Sequence, residues 1–294
     1  MAGSDLHIHT NVSDGVYAPA AVTGLAVQAG LSLFAIADHN SLAGLEEAER
    51  ALPAAGLRLV FGVELSAQPE EGQEIHILGY GVVPGHERLQ EVCRRINRRK
   101  REQFQQMVDL LKQWGVTVDL NAVLAEIEGD GYVGRPKLAE LLVRNGVVKT
   151  HGQAVGRFIG RGGPAYVQMR EFDPRLCIEA VHQAGGVAVL AHPTVETVDR
   201  WVARLVEMGL DGVEALRPAL QGNEQLYVEK AAEHFRLMIT GGSDWHGREW
   251  EPPLGAFAVE EEHIARFVRE MELRGAWRSG AGSGSAARGR ASNG

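Results

Sequence analysis

The chain has 294 residues, 45% hydrophobic and 23% charged, which is ordinary for a soluble globular protein, and it contains no apolar run of about 18 residues that could span a bilayer. A net charge of −8 argues against broad electrostatic attraction to nucleic acid while leaving room for a local basic patch. With only Cys93 and Cys177 present and no Cys-x-x-Cys spacing, there is no basis for a disulfide framework or a thiolate zinc site, so any metal must sit on histidine and carboxylate.

Met1 to Asp5 has neither a basic stretch nor an apolar core for export, so a cytoplasmic location is expected. Asp5-Leu6-His7-Ile8-His9 reads as a strand, on which alternation sends His7 and His9 to one face and Leu6 and Ile8 to the other. Ser13-Asp14-Gly15 then makes a turn with a carboxylate. Pro19 to Gly30 reads as a helix, and Leu33 to Ala37 as a buried parallel strand ending in Asp38-His39-Asn40. A helix over Leu42 to Leu52 leads into the strand Leu57 to Val63, which ends in Glu64. Gln73 to Gly81 is a further strand-like segment with His76, expected to pair with the Glu64 strand through the polar turn Gln68 to Gly72.

From Pro84 to Ala165 helical periodicity replaces the strand rhythm. Leu89, Val92, Cys93, Ile96, Phe104, Met107, Leu111 and Trp114 recur at three- and four-residue spacing, giving one long amphipathic helix. Arg94, Arg95, Arg98, Arg99, Lys100 and Arg101 interrupt it; most fall off the apolar stripe and read as a solvated face. Lys100 falls inside the stripe, so its ammonium must either snorkel out or face something anionic, which makes it a candidate substrate contact. A shorter helix near Asn121 to Ile127, a turn at Gly129, a helix opened by Gly134-Arg135-Pro136 and the segment Gly160-Arg-Gly-Gly-Pro164 complete an inserted helical module.

Strand and helix then alternate again: helix Leu176 to Gln183, strand Gly186 to Ala191 ending in His192-Pro193, helix Arg200 to Met208, strand Gly212 to Ala215, helix Asn223 to His234, and strand Leu237 to Thr240 ending in Gly241-Gly-Ser-Asp244-Trp-His246. A last helix spans Glu261 to Arg274. From Arg278 to Gly294 the composition is Gly, Ser, Ala and Arg, too poor in apolar bulk to offset ordering entropy, so a disordered tail is expected. The resulting organisation is a barrel over 1–84 and 166–277, a helical substrate-reading module over 85–165 and a tail over 278–294.

His39, Glu64, His192 and Asp244 each end a predicted strand, and in an α/β barrel all such ends share the rim that carries chemistry. With His7, His9, Asp14, His76 and His246 this makes nine ligand-type groups on one face, among them six of the chain's 11 histidines. His86, His151, His182, His234 and His263 lie on helices or loops and read as structural or surface residues. Asp38 either orients a ligand imidazole or caps the helix that follows.

Taken together, Asp5-Leu-His-Ile-His-Thr10, Ser13-Asp-Gly15, Asp38-His39, Gly62-Val-Glu64, His76, Ala191-His-Pro193 and Ser243-Asp-Trp-His246 resemble the PHP (polymerase and histidinol phosphatase) metal-dependent phosphoesterases over all but the tail. Gly134-Arg135-Pro136 and Gly160 to Tyr166 are similar to the branch acting on nucleotide 3′,5′-bisphosphates, nucleoside monophosphates and short 5′-phosphorylated oligonucleotides. The resemblance implies a distorted seven-stranded TIM-like barrel with three divalent metals. His7, His9, Glu64 and Asp244 would bind one, Glu64, His76 and His192 the second, and Asp14, His39 and His246 the third. Asn40 stands where that branch usually has Asp, which puts a supporting or substrate contact in question and leaves the nine ligands intact.

Nitrogen and oxygen ligands without thiolate suit Mn²⁺, Fe²⁺ or Zn²⁺. Hydrolysis by a metal-activated hydroxide is the expected chemistry, with Asp14, His246 and Arg135 as the catalytic candidates. Arg135 would also contact substrate, because a guanidinium matches phosphate bidentately. No Gly-x-Ser-x-Gly or P-loop pattern offers a different chemistry. The expected substrate is a small phosphate ester, a nucleotide or a short RNA or DNA end. Other readings are histidinol-phosphate phosphatase and a non-catalytic PHP scaffold module. The sequence leaves the oligomeric state open.

Overall fold

Short apolar strands with β-branched residues alternate with amphipathic helices, and in the computed structural model, which describes residues 3–71, 73–120, 123 and 131–280, they curl into one sheet. The strands are β1 (Ser4–Ile8), β2 (Leu33–Ile36), β3 (Arg58–Ala67), β4 (Ile75–Tyr80), β5 (Val187–Leu190), β6 (Gly212–Leu216), β7 (Met238–Gly241) and the two-residue β8 (Trp277–Arg278). The helices are α1 (Pro19–Gln28), α2 (Leu45–Arg50), α3 (Glu87–Gln113), α4 (Arg135–Arg144), α5 (His151–Ala154), α6 (Pro174–Gln183), α7 (Val195–Glu207), α8 (Asn223–Phe235) and α9 (Ala265–Leu273). Apart from Val123, the helix predicted near Asn121 to Ile127, the turn at Gly129 and all but the first three residues of the predicted tail lie outside the described residues. Among the described residues no helix is long and apolar enough to cross a membrane.

The sheet runs β1 to β7 in sequence order and its two ends meet, with Ile8 bridging Trp245 and the His9 N–H donating to the Trp245 carbonyl at 2.8 Å. Gly242 makes this approach possible, since a Cβ there would fall 2.4 Å from the Cβ of His7. The result is a distorted barrel. Alternation along the strands separates two apolar layers: Leu33, Ala35, Val60, Leu78, Tyr80, Val187 and Val189 pack inside with Phe267 and Met271 of α9, while Phe34, Ile36, Leu59, Phe61, Ile77 and Leu190 pack outward under the helices.

Two strand predictions need correction. β3 continues past Glu64 to Ala67 because β4 turns back along it, pairing Glu64 with Leu78 and Ser66 with His76. Glu64 is therefore mid-strand, and β4 is antiparallel to both neighbours, so its beginning, with His76, reaches the rim formed by the ends of the parallel strands. Strict alternation also fails on β1. Between Asp5 and Ile8 the register against β2 slips, a bulge that sends Leu6 to the inner layer and Ile8 to the outer one.

The helix α3 is shared by two cores. Leu89, Val92, Cys93 and Ile96 belong to the barrel's outer layer, whereas Phe104, Met107, Val108 and Leu111 pack with Leu138, Leu141 and Leu142 of α4 and Ile159 in a separate cluster. The tail prediction began too early. Arg278 and Trp277 pair with Leu59 and Val60 of β3, with the Arg58 guanidinium over the Trp277 ring at 4.9 Å and Arg278 over Phe61 at 4.8 Å.

Candidate metal centre

Glu64 projects from the inner face of β3, fully buried, and the other predicted ligands close around it. Its Oε1 lies 2.8 Å from His76 Nδ1 and 2.9 Å from His192 Nε2. Its Oε2 lies 2.9 Å from His39 Nδ1 and 3.4 Å from the Nε2 atoms of both His7 and His9. Asp244 Oδ1 adds contacts of 3.1 Å to His9 and 3.5 Å to His7. Asp14 sits 3.3 Å from His246 Nε2 and 3.8 Å from His9 Nδ1. All nine sequence-predicted ligands thus share one continuous constellation.

The grouping differs in detail from the one implied by resemblance. Donor atoms within metal reach of one another form His7–His9–Glu64, His39–Glu64–His76 and His9–Asp14–His39–His246, so His9 and His39 stand at the borders between groups rather than in one each. His192 Nε2 adjoins the second, 3.1 Å from His76 Nδ1.

This donor set fits divalent cations. His7 Nε2, His9 Nδ1, His39 Nδ1 and Glu64 Oε2 are buried with no hydrogen-bond partner, and each orphaned polar atom of this kind costs about 1–3 kcal/mol. Four at one point are explained if lone pairs are reserved for metal. In the metal-free site protonation is mixed, and the imidazoles held high must shed a proton to bind a metal. Burial, aided by His246 and His39, drops His9 to about 3, leaving a neutral imidazole. Against burial, which would raise it, the imidazoles of His39, His76 and His7 hold Glu64 well below the carboxylate range; Asp14, facing His39 and His246, is held low in the same way. His76 and His246 reach about 9, because Glu64 and Asp14 respectively outweigh burial.

A ring of side chains that sequence reasoning missed fixes the imidazoles. Glu214 of β6 accepts from His7 Nδ1 at 3.0 Å and from the His192 N–H at 2.7 Å. Glu74 lies 2.9 Å from His76 Nε2. Such carboxylates set ring orientation and tautomer. A lone glutamate in the apolar strand Gly212 to Ala215 was the available signal for Glu214; nothing marked Glu74. Asp5 accepts from the Ser243 N–H and hydroxyl at 2.9 and 2.6 Å, fixing the loop that presents Asp244. His192 and Asp244 hold φ of 30° and 56°, a strained backbone that such anchoring maintains.

Neither reading of Asp38 holds. It accepts from Thr10 N, Thr10 Oγ1 and Ser13 Oγ at 2.8, 2.6 and 2.6 Å, stapling the loop that carries Asp14. Asn40, at φ 48°, accepts from the Ser66 N–H at 2.9 Å, donates to Ser66 Oγ at 3.3 Å, and its own N–H donates to the Glu64 carbonyl. Its amide pins β3 beside Glu64, and a carboxylate could not make the donated bond.

Beside this centre, sharing Asp14 with it, opens a cleft of about 1610 Å³, walled by the Asn11–Tyr17 loop, Arg94 and Asn97 of α3, Tyr132 and Lys137 of the insert, and Arg248 and Trp250. Neither Lys100 nor Arg135 is in its wall. The ammonium, 3% exposed by residue, ion-pairs with Glu74 behind His76, the anionic partner its position in the stripe demanded. Arg135 opens α4, half-buried and electrostatically coupled to Glu74, Lys100 and Tyr132. The basic run divides: Arg94 faces the cleft, while Arg95 and Arg99 stack over Phe172 at 5.3 and 5.0 Å on another flank. His151, read as a structural or surface residue, lines the cleft against Trp250.

The PHP domain model matches residues 5–158. A 5′-3′ exoribonuclease of Haemophilus influenzae is 32% identical, with 82% of this chain and 89% of the relative covered. A phosphoribosyl 1,2-cyclic phosphate 1,2-diphosphodiesterase of Eggerthella lenta is 30% identical, with 87% and 98% covered. A crystal structure from Bifidobacterium adolescentis, assigned as a metal-dependent phosphoesterase, superposes with a TM-score of 0.80 at 28% identity, covering 92% of this chain and 96% of that one. None of these is a histidinol-phosphate phosphatase. With these matches and a metal-ligand rim in place, the chain belongs to the PHP domain family and is a metal-dependent phosphoester hydrolase.

Proposed function

We propose that the chain hydrolyses phosphate esters of nucleotides, its substrates being nucleoside monophosphates, 3′,5′-bisphosphates and short 5′-phosphorylated oligonucleotides, and that it works with three divalent ions, Mn²⁺, Fe²⁺ or Zn²⁺. The observation that carries this reading is the convergence of five imidazoles on Glu64, with Asp14, Asp244 and His246 packed around them, beside a cleft of about 1610 Å³ that Asp14 also lines, larger than the roughly 300–1,000 Å³ that holds a drug-sized ligand. The exoribonuclease relative supports nucleotide substrates, and the cyclic-phosphate diesterase relative, named for a ribose phosphate, supports phosphoester hydrolysis.

The chemistry such ions supply is Lewis acidity toward a phosphoryl oxygen and a water acid enough to ionise near neutral pH. The protein's own groups do the rest. Asp14, kept ionised by the imidazoles around it, and His246 hold the outer ligand group toward the cleft. Arg135, which makes no ion pair with a carboxylate among the described residues, keeps its guanidinium available for phosphoryl oxygens as charge develops in the transition state. Lys100 neutralises Glu74, so that the ring of carboxylates around the imidazoles does not repel an anionic substrate.

Metal-loaded protein assayed against adenosine monophosphate, adenosine 3′,5′-bisphosphate, a 5′-phosphorylated oligonucleotide and histidinol phosphate, alongside elemental analysis, tests the proposal. The expected result is two to three metals per chain and faster turnover of the nucleotides. Preference for histidinol phosphate, or no more than one tightly held metal after reconstitution, would overturn it.

A further inference from the structure

Large apolar side chains in a cleft normally find cover, yet Trp250 is 61% exposed on the cleft wall. Its ring is backed by His151 of the insert, centroids 4.4 Å apart and tilted 43°, and flanked by the Arg248 guanidinium 5.9 Å from its centroid. Arg248 in turn reaches the Asp14 carbonyl at 3.2 Å and the Asp14 carboxylate at 3.4 Å. One arginine side chain therefore spans the gap between the metal-ligand rim and an open indole face.

The loop that carries Trp250 is pinned on both sides. Glu251 accepts from the N–H groups of His246 at 2.9 Å and Arg248 at 3.2 Å, and the Trp245 indole N–H donates to the Pro252 carbonyl at 3.1 Å. A rigid, wet aromatic face beside a phosphate-handling site is the arrangement that binds single-stranded nucleotides by base stacking, because every base has a π face.

Resting on the nucleotide reading above, we propose that Trp250, backed by His151, is the platform on which the substrate's nucleobase stacks. The cleft thus grips a nucleotide by the face of its base, tolerates all four bases, and prefers a nucleotide to a phosphate ester without one. Arg248 lies between platform and rim, where the sugar–phosphate of the same nucleotide would pass.

The test compares wild type, Trp250→Ala and Trp250→Phe in the metal-loaded enzyme. Steady-state rates are measured on the four nucleoside monophosphates and on ribose 5-phosphate, which has the sugar and phosphate without the base. Losing one base–aromatic contact to alanine is expected to lower the nucleotide-to-ribose-phosphate ratio of kcat/KM about tenfold, mainly through KM, with Trp250→Phe restoring most of it. In wild type the four bases should fall within a few-fold of one another. In parallel, binding of a hydrolysis-resistant nucleoside 5′-phosphonate to all three proteins is read by isothermal titration calorimetry, which needs neither turnover nor the indole of Trp250. If nucleotides are hydrolysed but the ratio is the same in all three proteins, the platform is wrong while the function stands. If nucleotides are not hydrolysed, yet the phosphonate binds wild type and Trp250→Phe with similar affinity and Trp250→Ala about tenfold more weakly, the platform stands and the function reading fails. Equal phosphonate affinity in all three proteins overturns the platform in either case.

Discussion

Replacing Glu64 by Gln keeps side-chain volume and removes one negative charge from a point where five imidazole nitrogens lie within 3.4 Å. Glu64 belongs to two of the ligand groups, so the change weakens both. Disturbing a residue that only supports a ligand costs about 10–100-fold in metal affinity, and loss of a shared ligand should cost at least the upper figure, with kcat/KM falling by about 10²-fold or more. Metal-free protein gives a second readout. Glu64 and Glu74 are depressed from 4.5, so the stability they contribute is present above pH 4.5 and is lost as pH falls. His76, where Glu64 outweighs burial, is raised from 6.5 to about 9, so its contribution is present below pH 6.5 and is lost as pH rises through 9. That shift corresponds to about 3 kcal/mol, or roughly 6–12 °C in Tm for a chain of this size. Calorimetry of chelator-treated protein should therefore show highest stability near pH 5–6.5 and an alkaline decline that is shallower in Glu64→Gln by the share of His76, while His246, held up by Asp14, keeps its own. A variant that binds wild-type metal, turns over within twofold of wild type and keeps the full alkaline decline would refute the assignment of Glu64 as hub.

Arg135→Ala should leave metal content intact and reduce kcat/KM by about 10²-fold, the scale of one lost transition-state contact, with Arg135→Lys a poor rescue because a point charge cannot reproduce the fork; wild-type kcat/KM on both a monophosphate and an oligonucleotide would remove it from the substrate site. Deleting residues 281–294 should leave Tm and activity unchanged, since their composition makes few apolar contacts. A cut before Trp277 should lower Tm by several degrees, because it removes β8, the Arg58–Trp277 stack and the 3.5 Å contact of Arg278 with Glu49. Equal melting of the two truncations would show that β8 contributes nothing.

The ligands were legible because metal chemistry restricts residue type and strand ends restrict place: His7, His9, His39, His192, Asp244 and His246 all announce themselves as polar residues at or just beyond apolar runs, and local periodicity suffices to locate such runs. The long helix α3 and the β3–β4 hairpin were readable for the same reason. What required tertiary structure was partnership across the chain. Glu214, 207 residues from the His7 it orients, looks in sequence like one odd carboxylate in a strand. Lys100 could be told to need an anion, but that the anion is Glu74, 26 residues earlier, follows only from how α3 packs against β3 beside the start of β4. Asp38 and Asn40 carry the right polar groups for several jobs, and only the folded positions of Thr10, Ser13 and Ser66 select among them. Trp250 and His151 are separated by a whole half-barrel, so no local pattern joins them. Local composition determined which groups can hold metal and phosphate; long-range packing, through barrel closure at Ile8–Trp245 and the crossing of α3, decided which atoms face one another.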